Sequence, residues 1–284
     1  MQEKNRERAA MIEDRKIVKA KKLLAEADAI VIGAGAGLSS AAGLTYSGQR
    51  FEEHFAPFIQ VYGLTDMYSA GFYPFATEEK KWGYWSQHLY LNRYQTDSLP
   101  LYQDLYEVVG DKNYFVITTN VDSQFEKAGF DKEKLFEVQG NYGEFQCSVP
   151  CHDGVYNNQT ALEILLANRQ GLEVRTEDIP KCPKCGADMM SRLRIDHRFV
   201  EDANWHRQEK AYLDFLQGNA DKNIVFLELG VGFNTPTIIK FPFERLNEAL
   251  PAASLIRLNL EDPEREGIIT INQDMQEVIR AWKD

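Results

Sequence analysis

At 284 residues the chain is long enough to bury a sizeable core and to hold one large or two modest domains. Apolar residues make up 44% and charged residues 26%, the balance of an ordinary globular protein, and the net charge of −11 excludes a general nucleic-acid binder, which carries a basic domain. No run approaches the roughly 18 apolar residues of a membrane span. The N-terminal MQEKNRERAAMIEDRK has no apolar signal core and is too acidic for a transit peptide. A cytoplasmic protein without a nucleic-acid or membrane partner is expected.

Residues 3–28 are charged and helix-forming, with Met11, Val18 and Ala25 at heptad spacing and Leu24 beside them as the packing face. Ala29 to Ile32 then reads as a buried strand. It runs without a gap into Gly33-Ala-Gly-Ala-Gly37, and Leu38 to Ala42 begins a helix that Ser39 and Ser40 can cap. A strand opening through glycines into a helix N-terminus gathers backbone N–H groups and a positive dipole end, which suits a phosphate; glycine would let the backbone approach the ligand closely. The dehydrogenase fingerprint G-x-G-x-x-G is absent. Counted from Gly33 its last position is Leu38, and from Gly35 it is Ser40. Glu52 and Glu53 lie near the distance of a ribose-binding acid, but RFEEHFAPF does not read as a strand.

From Gly48 to Leu99 the chain is rich in aromatics, among them Phe51, Phe55, Phe58, Tyr84 and Trp85, with Gly63, Gly71, Pro74 and Gly83 as punctuation. Short helices around an aromatic core fit that pattern. Helix and strand then alternate: a helix over Leu101–Val109, a strand over Tyr114–Thr118, a helix over Asp122–Ala128 and a short strand over Leu135–Val138. After an interruption, a helix at 206–218 and strands at Ile224–Leu229, Leu255–Leu258 and Ile268–Ile271 complete six apolar strands. The pattern predicts an α/β fold, a doubly wound parallel sheet that binds its ligand at the C-terminal strand ends.

The interruption, 141 to about 205, contains all four cysteines. Cys147 and Cys151 are spaced C-x3-C, and Cys182 and Cys185 form C-P-K-C before Gly186. Two such doublets match a closed tetrahedral zinc site of structural type, with no open position for chemistry.

These pieces resemble the sirtuin family. Gly35-Ala-Gly-Leu-Ser-Ser-Ala-Ala-Gly-Leu-Thr-Tyr-Ser-Gly48 is similar to GAGxSxxxGIPxFR, and Thr118-Thr-Asn-Val-Asp122 to TQNID, with Ala128-Gly129 after it. Val138-Gln-Gly140 stands where the family has His-Gly, and the cysteine doublets stand at its zinc site. Gly230-Val-Gly-Phe-Asn234 resembles the ribose loop, and Asn259 the asparagine after the next strand. The resemblance spans roughly residues 25–280 and implies a Rossmann-like NAD-binding domain of residues 1–48, 100–143 and 206–284. A helical module of 49–99 and a zinc module of 144–205 complete it. It implies cleavage of NAD at the nicotinamide bond, with Gly35, Ala36, Gly37, Ser39, Thr45 and Tyr46 lining the pocket. Asn120 and Asp122 would face the nicotinamide ribose, and Gly230, Gly232, Asn234 and Asn259 the adenosine side.

Three departures shape the expected activity. The histidine that serves the family's deacylases as general base is Gln139 here, and an amide cannot take up a proton near neutral pH. Losing a positioned base costs about 10²–10⁴-fold in rate. Thr45-Tyr-Ser-Gly48 replaces the Pro-x-Phe-Arg segment whose phenylalanine shields the ribose, leaving Tyr46, Phe51 or Phe55 for that task. Arg192, Arg194, His197 and Arg198 give the acceptor strand a basic character, with Arg192 expected to assist the acceptor. Together these resemble the macrodomain-linked (class M) microbial sirtuins. That resemblance implies a protein mono-ADP-ribosyltransferase acting on a lipoylated glycine-cleavage H-like carrier, with a macrodomain ADP-ribose hydrolase as functional partner. Asn120, Gln139 and Arg192 would be the catalytic residues, NAD the co-substrate and Zn2+ structural. A lysine deacylase, an NAD hydrolase and a non-catalytic ADP-ribose-binding scaffold are the alternatives.

Overall fold

The computed structural model describes residues 2–283, with side chains from Glu13 onward. The first helix, α1 (Gln2–Glu26), leads into β1 (Ala29–Ala34) and α2 (Ala36–Ala41). A run of helices follows: α3 (Gln49–Tyr62), α4 (Met67–Ala70), α5 (Glu78–Tyr90) and α6 (Pro100–Val109). Next come β2 (Tyr114–Thr118), α7 (Gln124–Lys127), β3 (Leu135–Glu137), β4 (Gly140–Cys147), β5 (Tyr156–Asn157), α8 (Gln159–Asn168) and β6 (Met189–Leu193). The chain closes with α9 (Ala203–Gly218), β7 (Ile224–Leu229), α10 (Lys240–Ala249), β8 (Ser254–Leu258), β9 (Ile268–Ile271) and α11 (Met275–Lys283).

The six expected strands form one parallel sheet of order β3-β2-β1-β7-β8-β9. Its central strands are buried on both faces, which is why they read as continuous apolar runs. Alternate residues serve opposite layers. Ile30, Ile32, Val116 and Leu227 pack with α1, α6 and α11, whereas Val31, Phe115, Ile117 and Phe226 pack with α9 and α10. The chain leaves β1 toward β2 and β3 on one side and later returns to β7 on the other. The crevice between these directions is where open α/β sheets bind ligands.

The packing face of α1 differs from the expected one. Ala20 and Leu24 are buried and Ile17 partly so, while Val18 and Ala25 are exposed. Ile17 and Leu24 are also seven residues apart and bury more apolar area than Val18 and Ala25, so their stripe wins. The side chain of Met11 lies outside the described residues.

Between β1 and β2, Phe51, Phe55, Phe58 and Tyr84 form a sealed aromatic core, with Phe55 and Tyr84 centroids 5.2 Å apart. The segment after β3, irregular by sequence, holds a second, antiparallel sheet of order β5-β4-β6. Its alternation was masked by buried polar residues such as Gln146 and Arg192, which are held in their own hydrogen bonds. No helix among the described residues is long and apolar enough to cross a membrane.

Candidate active site

The loops after β1, β2, β7 and β8 meet at the C-terminal edge of the parallel sheet. Gly37 N–H donates to Gly230 O at 2.9 Å, Asn120 Nδ2 donates to Gly35 O at 3.0 Å, and Asn259 Nδ2 donates to Val231 O at 3.1 Å. A Cβ on Gly37 would stand 2.7 Å from Gly230 Cα, and one on Gly35 2.8 Å from Gly230 O. Gly230 has φ +60°, and a Cβ on it would collide with Leu38 N still more closely. These glycines are therefore required by loop-on-loop contact, a closer constraint than the ligand approach expected from sequence. Gly33 is no turn glycine either: it lies within β1, and a Cβ there would press on Phe243 of α10 at 2.5 Å.

The first turn of α2 has no side-chain cap. Gly35 N–H goes to Leu229 O and Leu38 N–H to Gly35 O, so Ala36 N–H is left without a partner among the described residues. Ser39 does not cap. Its hydroxyl donates to Asp122 Oδ2 at 2.6 Å and lies 2.9 Å from Tyr102 Oη, which in turn accepts from Asn120 Nδ2 at 3.3 Å. All four of these side chains are buried. Burial pushes the Asp122 carboxyl upward against its hydrogen bonds from Ser39 and Gln124 N–H, and holds the Tyr102 phenol well above its usual range. The helix expected from Asp122 begins two residues later because Ser123 takes a left-handed φ of 60°, which turns Asp122 back onto Ser39. Left-handed backbone at a non-glycine residue is strain of the kind stored at functional sites.

Tyr102 gave no signal in the sequence beyond sitting on the core face of a helix, where a buried phenol needs a polar partner. Tyr46 Oη lies 2.5 Å from Tyr142 Oη, and burial raises both phenols, with Asp122's charge adding to the shift. Phe51 and Phe55 are sealed in the aromatic core, so of the three candidates for shielding the ribose only the half-buried Tyr46 keeps exposed surface. Thr45 offers its carbonyl to Arg50 Nη1 at 3.2 Å, and Gly232 and Asn234 are exposed at the rim. Below Asn259 the loop is anchored by a buried ion cluster: Arg257 grips both Glu228 oxygens at 2.8 Å, and Lys240 bonds Glu228 at 2.8 Å and Asp262.

Gln139 occupies the turn between β3 and β4. Its carbonyl accepts from Arg194 N–H at 3.0 Å, while its half-buried side-chain amide is tied to no neighbour among the described residues. Gly140 must be glycine, with φ +88° and the Arg192 carbonyl where a Cβ would stand. Two residues before Gln139, Glu137 accepts from Asn141 Nδ2 at 2.9 Å with both oxygens. Burial pushes this carboxyl up to about 8, so it holds a proton at neutral pH.

The basic acceptor strand does not survive in three dimensions. Arg192 is 4% exposed and fully engaged: Nη1 with Glu144 at 2.7 Å, Nη2 with Asp202 at 2.8 Å and Nε with Val200 O at 3.1 Å. Arg194 pairs with Glu201 and stacks on Phe199, and Arg198 pairs with Asp196. Each arginine expected to face an acceptor instead neutralises a nearby carboxylate, and Arg192 ties β6 to β4 and to the start of α9.

At the far end of β4, the four cysteine Sγ atoms lie within 4.8 Å of one another. The Cys147–Cys185 and Cys151–Cys182 pairs are 3.6 and 3.7 Å apart, close to the edge of about 3.8 Å in a tetrahedron with Zn–S bonds of about 2.3 Å. Gly186, at φ +75°, closes the knuckle by donating to Cys182 O at 2.9 Å. The donor set and its spacing are compatible with zinc.

No family model matches the chain. A protein ADP-ribosyltransferase of Staphylococcus aureus (strain Mu50 / ATCC 700699) is 37% identical over 235 residues, which cover 82% of this chain and 75% of the relative. The chain belongs to the protein ADP-ribosyltransferases of sirtuin fold. A probable bifunctional ADP-ribose hydrolase/ADP-ribosyltransferase of Fusarium oxysporum f. sp. cubense is 33% identical over 240 residues, 80% of this chain but only 39% of that longer protein. Among solved structures, Sir2Tm bound to a propionylated peptide superposes with a TM-score of 0.59 at 19% identity, covering 93% of this chain and 95% of that one. A Sir2–p53 peptide–NAD+ complex gives 0.54 at 18%, covering 91% and 93%. These structures establish the fold that this ADP-ribosyltransferase shares with the sirtuins.

Proposed function

We propose that this enzyme transfers the ADP-ribosyl group of NAD to a lipoylated glycine-cleavage H-like carrier, as a member of the macrodomain-linked branch. A macrodomain ADP-ribose hydrolase would reverse the modification in the same cytoplasmic setting. The bond from the ribose anomeric carbon to nicotinamide breaks, and nicotinamide leaves with the electron pair. An acceptor nucleophile then bonds to that carbon and gives up its proton. In this reading Asn120 orients the nicotinamide ribose and Gln139 holds ribose hydroxyls by hydrogen bonding. Ser39 and Asp122 fix the loop on which Asn120 stands, and the zinc is structural.

The observation that carries the proposal is the pairing of an intact Ser39–Asp122–Tyr102–Asn120 cluster with an amide, Gln139, at the family's base position. The first supports nicotinamide departure, which needs no base; the second leaves deacylation without its proton acceptor. The Fusarium relative is a probable bifunctional ADP-ribose hydrolase/ADP-ribosyltransferase, which supports a paired reversing activity.

Incubation with NAD and a lipoylated carrier, read by intact mass, tests it. A carrier gaining one ADP-ribosyl group is the expected result, and Asn120→Ala should abolish it with metal content unchanged. Free ADP-ribose with every carrier unmodified would establish hydrolysis instead, and O-acyl-ADP-ribose from an acylated peptide would establish deacylation.

A further inference from the structure

A chain of buried polar groups runs from the crevice into the helical module. Tyr46 Oη and Tyr142 Oη are 2.5 Å apart, Tyr142 Oη and His88 Nε2 are 3.0 Å apart, and His88 Nδ1 and Tyr84 Oη are 3.2 Å apart. Tyr84 Oη also lies 3.2 Å from Met67 O. His88, Tyr84 and Tyr142 are each at most 4% exposed, so water cannot stand in for a missing partner.

The last contact fixes the direction of all the others. A carbonyl can only accept, so the Tyr84 hydroxyl donates to Met67 O and must accept from His88 Nδ1–H. The opposite tautomer would set two lone pairs against each other at one of these contacts. With its proton on Nδ1, His88 accepts at Nε2, so Tyr142 donates to it and accepts in turn from Tyr46. The Tyr46 proton is thereby directed to Tyr142, and its oxygen keeps lone pairs that no neighbour among the described residues fills. Burial holds His88 down at about 3 and Tyr46 up at about 12, so both are uncharged at neutral pH. The Tyr46 backbone is pinned as well, since its carbonyl accepts from Met67 N–H at 2.8 Å.

We propose that Tyr84, His88 and Tyr142 are positioning residues that hold the Tyr46 oxygen as a hydrogen-bond acceptor toward a ribose hydroxyl on the nicotinamide side of NAD. The proposal rests on the NAD site argued above. It gives the aromatic module a role in the crevice that packing alone does not require.

Calorimetric titration of the full chain with NAD and with AMP, which lacks the second ribose, tests it. Tyr46→Phe should weaken NAD about 5- to 10-fold, the value of a typical hydrogen bond, and leave AMP unchanged. His88→Phe, and Tyr142→Phe as a milder variant of the same chain, should each weaken NAD about 3- to 5-fold alone and have no further effect in a Tyr46→Phe background. Equal losses in both backgrounds, or an equal loss for AMP, would overturn the proposal, because a purely structural role acts on both ligands and does not pass through Tyr46. Asn120→Ala separates the two levels. Wild-type protein that fails to bind NAD, or binds it indifferently to Asn120→Ala, removes the site itself. Sensitivity to Asn120 with indifference to Tyr46 removes only the relay.

Discussion

Glu137 offers the sharpest test of how the molecule handles charge. Its carboxyl sits at the C-terminal end of β3 and is pushed up to about 8 from an ordinary 4.5 by burial, with Glu144 and Glu126 nearby adding to the shift. The folded protein therefore keeps a proton that the unfolded chain releases. The associated stability is fully present below pH 4.5 and is lost as pH rises through 8. A full proton difference changes stability by about 1.36 kcal/mol per pH unit, or about 4 kcal/mol between pH 5 and 8. Glu137 is only half-buried, so solvent screening reduces that to about 2 kcal/mol. Glu137→Gln replaces the acid with a neutral group of the same shape and abolishes the dependence. Urea unfolding of both proteins at pH 5, 6, 7 and 8 should give curves that diverge with pH, the variant gaining on the wild type by about 2 kcal/mol at pH 8. Titrating groups not coupled to Glu137 cancel in the difference. Parallel curves across the range would show that Glu137 ionises freely and that its burial is misjudged.

Two further outcomes follow from the same structure. Arg192→Met should cost about 3 kcal/mol in urea unfolding, because it leaves Glu144, Asp202 and the Val200 carbonyl without their shared partner, while the folded variant binds NAD normally. Full stability with transfer lost would return Arg192 to the acceptor. Native mass spectrometry should find one zinc per chain, and its removal by a chelator should destabilise the protein by several kcal/mol. Metal-free protein with four freely reactive thiols would refute the zinc assignment.

The parallel sheet was legible because strands buried on both faces must be apolar throughout, and Ile30 to Ile32, Phe115 to Ile117 and Val225 to Leu227 all are. The cysteine cluster was legible because metal ligands recur at short, fixed spacings. What the sequence hid are groups whose meaning depends on distant partners. Arg192 reads as a free cation until Glu144 and Asp202 arrive from other segments. Tyr102, Tyr142 and His88 read as core aromatics, since nothing local reveals which hydroxyl each will meet. Ser39 looked like a cap because the nearest backbone was the only partner visible, whereas its partner, Asp122, lies 83 residues away.

The contact of Gly37 with Gly230 couples the two ends of the crevice mechanically. A methyl group on Gly37 would force the opposite loop away. The loop that moves carries Val231, whose carbonyl receives Asn259. A displacement of the strand-to-helix turn after β1 is thus transmitted, through a space with no slack for one carbon atom, to the asparagine beyond β8. The two lips of the crevice behave as one interlocked rim, and its width is not adjustable from one side alone.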